Sequence, residues 1–93
     1  MTADGVHPRV VTLYTRKDCT LCKQAERLLR PIASRHGYVV ELVDIEQDEA
    51  LLRRYLFEVP VVVLHGREVA RGQVTRTRLE DAFEGLEADQ SRG

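Results

Sequence analysis

The hydrophobic periods along the chain predict an α/β fold whose elements follow the order β-α-β-α-β-β-α. Three observations support this prediction. Two short runs of β-branched and apolar residues flank a stretch with helical spacing, which is the pattern of a parallel βαβ unit. A second helical stretch separates this unit from two strands joined by a tight turn. A third helical stretch follows, so we expect a central four-stranded mixed sheet with helices on both faces.

The first three elements form the βαβ unit. Residues 9–15, RVVTLYT, are rich in Val, Thr and Tyr and predict a buried strand. Over residues 20–34 apolar side chains recur at helical spacing, which predicts an amphipathic helix with Pro31 inside it. Gly37 is placed to cap the C terminus of this helix. Residues 38–45, YVVELVDI, predict a second strand, which a right-handed crossover would make parallel to the first.

The remaining elements complete the sheet and cover it. Residues 46–57, EQDEALLRRYLF, have acids at their start and arginines near their end, which is the order that a helix dipole favours. Residues 59–72 contain two apolar runs around HGRE and predict an antiparallel hairpin. Residues 75–86, TRTRLEDAFEGL, predict the last helix. Within it, Thr77 and Glu80 have the spacing of a capping box.

Length and composition indicate one domain and exclude several classes of function. The chain has 93 residues, of which 43% are hydrophobic, and its 14 basic residues nearly balance its 15 acidic residues. We expect a flexible tail over residues 1–8, a single domain over 9–87 and frayed residues over 88–93. No charge excess indicates nucleic acid or a membrane surface as a partner. The start of the sequence lacks the apolar segment of a signal peptide, so we expect a cytoplasmic protein. We also expect it to be a monomer.

The two cysteines of the chain, Cys19 and Cys22, lie between the first predicted strand and the first predicted helix. At this position the unpaired backbone N–H groups of the first helical turn would favour a thiolate at Cys19. A thiolate attacks disulfides, and a second sulfur three residues further along can expel the captured partner. The spacing therefore predicts dithiol exchange, with Cys19 as the nucleophile and Cys22 as the resolving thiol.

Three other interpretations of the cysteine pair remain open. A structural disulfide is disfavoured because such bonds are rare in the cytosol. Zinc needs four ligands, and His7, His36 and His65 form no paired motif, although two C-x-x-C halves could share a metal in a dimer. The domain could also be a non-catalytic binding module that holds a partner through Leu21 and the edge at residues 59–60.

The segments TLYTRKDCTLCKQAERLL and EVPVVVLHGREV, in this order, resemble the thioredoxin superfamily. The resemblance is greatest to small bacterial glutaredoxin-like proteins with a C-x-L-C site, and it covers residues 9 to 86. It implies a thioredoxin-like fold in which Cys19 is the nucleophile and Cys22 the resolving cysteine. It also implies that Pro60 is held in cis beside them, with the Val59 backbone turned towards the cysteines to pair with a substrate segment.

The resemblance extends to Arg16, and the positions of Thr20 and Leu21 beside the cysteines add two further candidates. Arg16 matches a basic residue that helps to hold the glutathione carboxylate in glutaredoxins. From its position, Thr20 can donate a hydrogen bond to the sulfur of Cys19. Leu21 is either a core residue of the helix or an exposed contact for a substrate or partner protein. We therefore expect the substrate-binding residues to be these three together with residues 59–60, and we expect no metal ligand.

Some residues depart from the glutaredoxin pattern. Glu58 stands where a threonine usually precedes Val-Pro, and Gly72 is a single glycine where glutaredoxins have two glycines and an aspartate. Asp18 lies beside the nucleophile, where its carboxylate disfavours the thiolate. We expect a thiol–disulfide oxidoreductase that acts on protein or glutathione disulfides and requires no cofactor. Its electron donor would be either glutathione or a reductase.

Overall fold

The structure is a computed structural model that describes residues 9–91. The tail expected over residues 1–8 and the last two residues of the chain lie outside this range. The strands are β1 (Val10–Thr15), β2 (Val39–Asp44), β3 (Val61–Leu64) and β4 (Arg67–Arg71). The helices are α1 (Thr20–Arg35), α2 (Glu49–Tyr55) and α3 (Arg76–Ser91), with a short 3-10 turn (Ile45–Gln47) before α2. Within the described range, no helix is long and apolar enough to cross a membrane.

The four strands form one mixed sheet in the order β2-β1-β3-β4. Strand β1 is parallel to β2 and antiparallel to β3, and β3 is antiparallel to β4. The hairpin between β3 and β4 turns through His65 and Gly66, whose φ angles of 52° and 78° are those of a tight two-residue turn. The predicted element order and the predicted mixed sheet are confirmed.

Helices α1 and α3 cover one face of the sheet and enclose the larger core. The buried residues of α1 recur at the predicted helical spacing and are Cys22, Ala25, Leu29, Ile32 and Ala33. Leu21, which the sequence allows either in the core or on the surface, is 40% exposed. The core joins residues of both helices to the central strands β1 and β3. Its members include Val11, Leu13, Ala25, Leu29, Ile32, Ala33, Val62, Leu64, Leu79 and Phe83. The apolar runs of the central strands are explained by this burial.

Helix α2 covers the opposite face over a smaller core. Ile45, Tyr55 and Val61 are its buried members, and Tyr14 of β1 packs against them. The rings of Tyr14 and Tyr55 are stacked with their centroids 4.8 Å apart. Burial raises the pKa of Tyr55. The prediction that helices cover both faces of the sheet is therefore confirmed.

The end of α1 and the start of α2 are fixed by local hydrogen bonds. Gly37, at φ 77°, follows α1, and the N–H of Tyr38 donates to the Ala33 carbonyl at 2.8 Å. This closes the helix in a Schellman motif and confirms the predicted glycine cap. Asp48 caps α2, since its carboxylate accepts from the N–H groups of Ala50 and Leu51 at 2.9 and 3.2 Å. The second helix is thus shorter than the predicted range 46–57.

The start and end of α3 differ from the prediction. The cap is Thr75, whose hydroxyl oxygen accepts from the N–H of Arg78 at 3.2 Å, so the predicted capping box of Thr77 and Glu80 is wrong. Val74 is buried just before the helix and anchors the chain two residues earlier than the box implies. The helix also continues past residue 86 to Ser91, through a segment in which Glu87, Ala88 and Gln90 favour helix.

Candidate active site

Cys19 and Cys22 lie at the N terminus of α1, as predicted. Cys19 is the N-cap residue, with φ −112° and ψ 105°, and the helix begins at Thr20. The sulfur of Cys19 accepts a hydrogen bond from the backbone N–H of Cys22 at 3.2 Å. The two Cα atoms are 5.2 Å apart, and the two sulfurs form a disulfide. The Cα separation lies within the range that a disulfide requires.

The two sulfurs differ in their access to solvent. Cys22 is buried, at 3% exposure, on the core-facing side of the first helical turn. Cys19 is half-buried and lines a surface cleft. Only Cys19 is therefore presented to a molecule that enters the cleft, while Cys22 can reach that molecule only through Cys19.

The turn before Cys19 depends on Asp18. This residue has φ 57°, in the left-handed region that Asp adopts more readily than most other residues. The turn carries Arg16 and Lys17 to the mouth of the cleft beside Cys19. Asp18 is thus a turn residue as well as a charge beside Cys19.

The cleft next to Cys19 has a volume of about 550 Å³ and two walls. Residues 16–19 form the first wall, which we call the helix wall. Glu46, Leu56, Phe57 and Val59 form the second wall, which we call the loop wall. The cleft brings together three of the predicted site residues, which are Arg16, Cys19 and Val59.

Besides the buried Cys22, three predicted site residues lie around the cleft without lining it. Thr20 and Leu21 are exposed on the first turn of α1, and Pro60 is buried behind the loop wall. The hydrogen bond that the structure gives to the Cys19 sulfur comes from the Cys22 amide, not from the Thr20 hydroxyl. These three residues are adjacent to the site rather than part of its surface.

The peptide bond between Val59 and Pro60 is cis, as the family resemblance implies. The N–H of Val59 donates to the Tyr55 carbonyl at 3.1 Å, and the Pro60 carbonyl accepts from the N–H of Gly72 at 2.8 Å. These two bonds hold the segment between α2 and β3 against the rest of the domain. They also engage the Val59 N–H, one of the two backbone groups that a paired substrate strand would use.

Ion pairs engage Arg16, Glu46 and Glu58 at and beside the cleft. The Arg16 guanidinium lies 3.2 Å from the Glu46 carboxylate, and the two side chains are 38% and 33% exposed. Glu58 accepts a hydrogen bond from Arg71 of β4, and this bond raises the pKa of Arg71. Arg71 also lies 3.9 Å from Glu68. The cation expected to face an anionic substrate is therefore already paired, and so is the acid before Val-Pro.

Within residues 9–91, the two histidines do not complete a metal site with the cysteines. Across residues 9–91, no group of three or more His, Cys, Asp or Glu side chains could hold a metal ion. His36 stacks on Phe83 with ring centroids 5.1 Å apart, and His65 shares a hydrogen bond of 2.7 Å with the Tyr38 hydroxyl. His7 lies outside the described residues. A zinc site would therefore need ligands from outside this range or from a second chain.

Comparison with known proteins agrees with the sequence resemblance. Residues 10–84 match a family described as glutaredoxin-like domain (DUF836). The X-ray structure of a structural genomics target protein from X. campestris is 36% identical, with a TM-score of 0.70, over 81% of this chain and 96% of that chain.

Two more distant structures share the fold. A mutant thioredoxin from Halobacterium salinarum NRC-1 is 23% identical, with a TM-score of 0.62, over 82% of this chain and 72% of that chain. Thioredoxin-2, described as a component of malaria parasite protein secretion machinery, is 18% identical, with a TM-score of 0.57, over 91% of this chain and 89% of that chain. The mixed sheet and its three helices are therefore a thioredoxin-like fold.

Proposed function

The chain belongs to the glutaredoxin-like domain family, and on that premise we propose that it is a thiol–disulfide oxidoreductase that works by dithiol exchange. The observation that carries the proposal is the asymmetric pair at the start of α1. The accessible sulfur of Cys19 is the N-cap, and its bonded neighbour Cys22 is buried. This arrangement provides one sulfur to capture a partner and a second sulfur to release it.

The exchange proceeds in two balanced steps. The thiolate of Cys19 attacks one sulfur of the target disulfide. The target S–S bond breaks, a mixed disulfide forms, and the departing thiolate takes a proton from water. The thiol of Cys22 then loses its proton and attacks the Cys19 sulfur, which breaks the mixed disulfide. The target leaves as a dithiol with two more electrons, and the cysteine pair is oxidised.

The start of α1 supports the thiolate of Cys19. The Cys22 N–H points at the sulfur, and the unpaired amides of the first turn concentrate positive charge there. The carboxylate of Asp18, on the preceding residue, opposes this effect. A less stabilised thiolate makes the reduced pair less stable, so the protein would act as a reductant more readily than as an oxidant.

Each cycle needs an electron donor to return the pair to the dithiol. Either one reductase dithiol or a pair of glutathione molecules would supply the two electrons. The exchange itself needs no metal or organic cofactor. Disulfides persist in oxidising compartments, so a reductant of this kind fits the cytoplasm, where we place the protein as a monomer.

Cysteine variants test the proposal. We expect Cys19→Ser to reduce bis(2-hydroxyethyl) disulfide and insulin, with dithiothreitol as donor, no faster than the uncatalysed background. We expect Cys22→Ser to accumulate a mixed disulfide with the target, visible as added mass, because the resolving thiol is missing. If the wild-type protein reduces neither substrate, the oxidoreductase proposal is wrong and the non-catalytic binding module is favoured.

A further inference from the structure

Phe57 is 93% exposed although it is a large apolar residue, and it lines the cleft that contains Cys19. Phenylalanine is among the residues most often buried, so a fully exposed ring beside a reactive sulfur needs an explanation. Helix α2 ends at Tyr55, and the turn that follows it carries Phe57 out of the smaller core and into the cleft.

The backbone on both sides of Phe57 is fixed. The N–H groups of Glu58 and Val59 both donate to the Tyr55 carbonyl, at 2.8 and 3.1 Å. The Glu58 side chain is tied to Arg71 of β4. The exposed ring is therefore presented by an anchored turn, and a ligand would bind it without first having to order that turn.

The remaining surface of the cleft favours an apolar ligand over a small anionic one. Arg16 is paired with Glu46, and the exposed Lys17 and Asp18 carry opposite charges. The cleft therefore has no net charge to attract glutathione, which carries two carboxylates. Leu56 and Val59 extend the apolar surface of the loop wall around the ring.

We propose that Phe57 is a specificity-determining residue that binds an apolar side chain next to the cysteine of a polypeptide disulfide. The substrate class would then be protein disulfides with an apolar neighbour, rather than glutathione disulfides. This inference rests on the proposed function, because a molecule bonded to Cys19 must occupy the cleft and contact its walls. The ring of Phe57 is covered only when such a molecule is present, so the contact stabilises the mixed disulfide and the transition state that leads to it.

Two synthetic peptides with an internal disulfide test the inference. The peptides are identical except for the residue after one cysteine, which is leucine in the first peptide and serine in the second. The wild-type protein should reduce the leucine peptide with a kcat/KM about tenfold higher than that for the serine peptide. Tenfold corresponds to about 1.4 kcal/mol. In Phe57→Ser the ratio should fall to about one, because the apolar contact is lost.

Val39→Ser is the matched control. Val39 is also an exposed apolar residue, at 67%, but it pairs with Val10 at the end of the sheet away from the cysteines. This variant should keep the wild-type ratio. Because the Phe57 side chain makes little contact with the core, Phe57→Ser should retain the wild-type circular dichroism and melting temperature.

The outcomes separate the inference from the function on which it rests. If the ratio of kcat/KM for the leucine peptide to that for the serine peptide is the same in wild type and Phe57→Ser, the role of Phe57 is overturned. A wild-type preference for oxidised glutathione over both peptides would overturn the substrate class. If the wild-type protein reduces neither the peptides nor bis(2-hydroxyethyl) disulfide, the oxidoreductase proposal fails and the inference falls with it.

Discussion

The helix wall and the loop wall of the cleft are supported in different ways. Behind the helix wall, α1 buries one face in the larger core. The sulfur of Cys19 accepts a hydrogen bond from the backbone N–H of Cys22, three residues further along the chain. Behind the loop wall are the short helix α2 and the smaller core of three buried residues. Two ion pairs tie this region to more distant parts of the chain. Glu46 of the loop wall pairs with Arg16, 30 residues away, and Glu58, which flanks the loop wall, pairs with Arg71, 13 residues away.

This difference separates chemistry from selectivity. In the proposed exchange the two sulfurs must keep their geometry through every cycle, and they are placed on the element with the deeper support. The residues that we propose to select the substrate, Phe57 with its neighbours Leu56 and Val59, lie on the loop wall. A change on the loop wall can therefore alter which disulfide is used while the cysteine pair stays intact.

The largest effect should come from the support of the helix wall. Leu29 of α1 is completely buried, so Leu29→Ala leaves a cavity and should lower the free energy of unfolding by about 2–5 kcal/mol. Urea denaturation followed by circular dichroism measures this loss. Leu42→Ala is the control, because Leu42 is 42% exposed on β2 and should cost about 1 kcal/mol or less. Equal losses in the two variants would contradict the deeper support of the helix wall.

A smaller effect should come from the start of α2, which supports the loop wall. Asp48→Ala removes the carboxylate that caps this helix and should lower the free energy of unfolding by about 1 kcal/mol. Glu49→Ala, at the next position, loses an exposed ion pair with Arg53 and a favourable negative charge at the start of the helix, and should cost about 0.5 kcal/mol. The same urea titration compares them. A larger loss in the Glu49 variant would show that the cap is not what fixes α2.

The smallest effect should come from the ion pair on the cleft surface. Glu46→Gln releases Arg16 to bind an anionic substrate, and reduction of a glutathione mixed disulfide should become about twofold to threefold faster, equivalent to about 0.5 kcal/mol. Glu41→Gln removes an exposed acid from β2, away from the cleft, and should leave this rate unchanged. A slower rate in Glu46→Gln would mean that the pair itself helps to bind the substrate.

Most of the fold could be predicted because its signals are local. The strand periods, the helical spacing of α1 and the glycine after α1 are each visible within a short window. Boundaries were less predictable where two residues could serve as a cap. Thr75 and Thr77 are both acceptable N-caps, and the choice depends on the burial of Val74, which the sequence does not show.

The two walls of the site differed in how well they could be predicted. Cys19 and Cys22 follow from their place between a strand and a helix. The pairing of Arg16 with Glu46 does not, because sequence spacing gives no sign of a contact across 30 residues. The sequence predicts Phe57 as the last residue of the second helix, and the charge order that predicts this helix does not show which way the ring points. The turn after Tyr55, which carries Phe57 outward, is a product of tertiary packing.

The central claim is that Cys19, at the start of α1, is the reactive sulfur, and alkylation tests it most directly. The reduced protein is treated with iodoacetamide at neutral pH, and each cysteine is followed by peptide mass spectrometry over time. Because Cys22 is 3% exposed and Cys19 opens into the cleft, Cys19 should be modified about tenfold faster or more. If Cys22 is modified as fast as Cys19, or faster, the account is wrong.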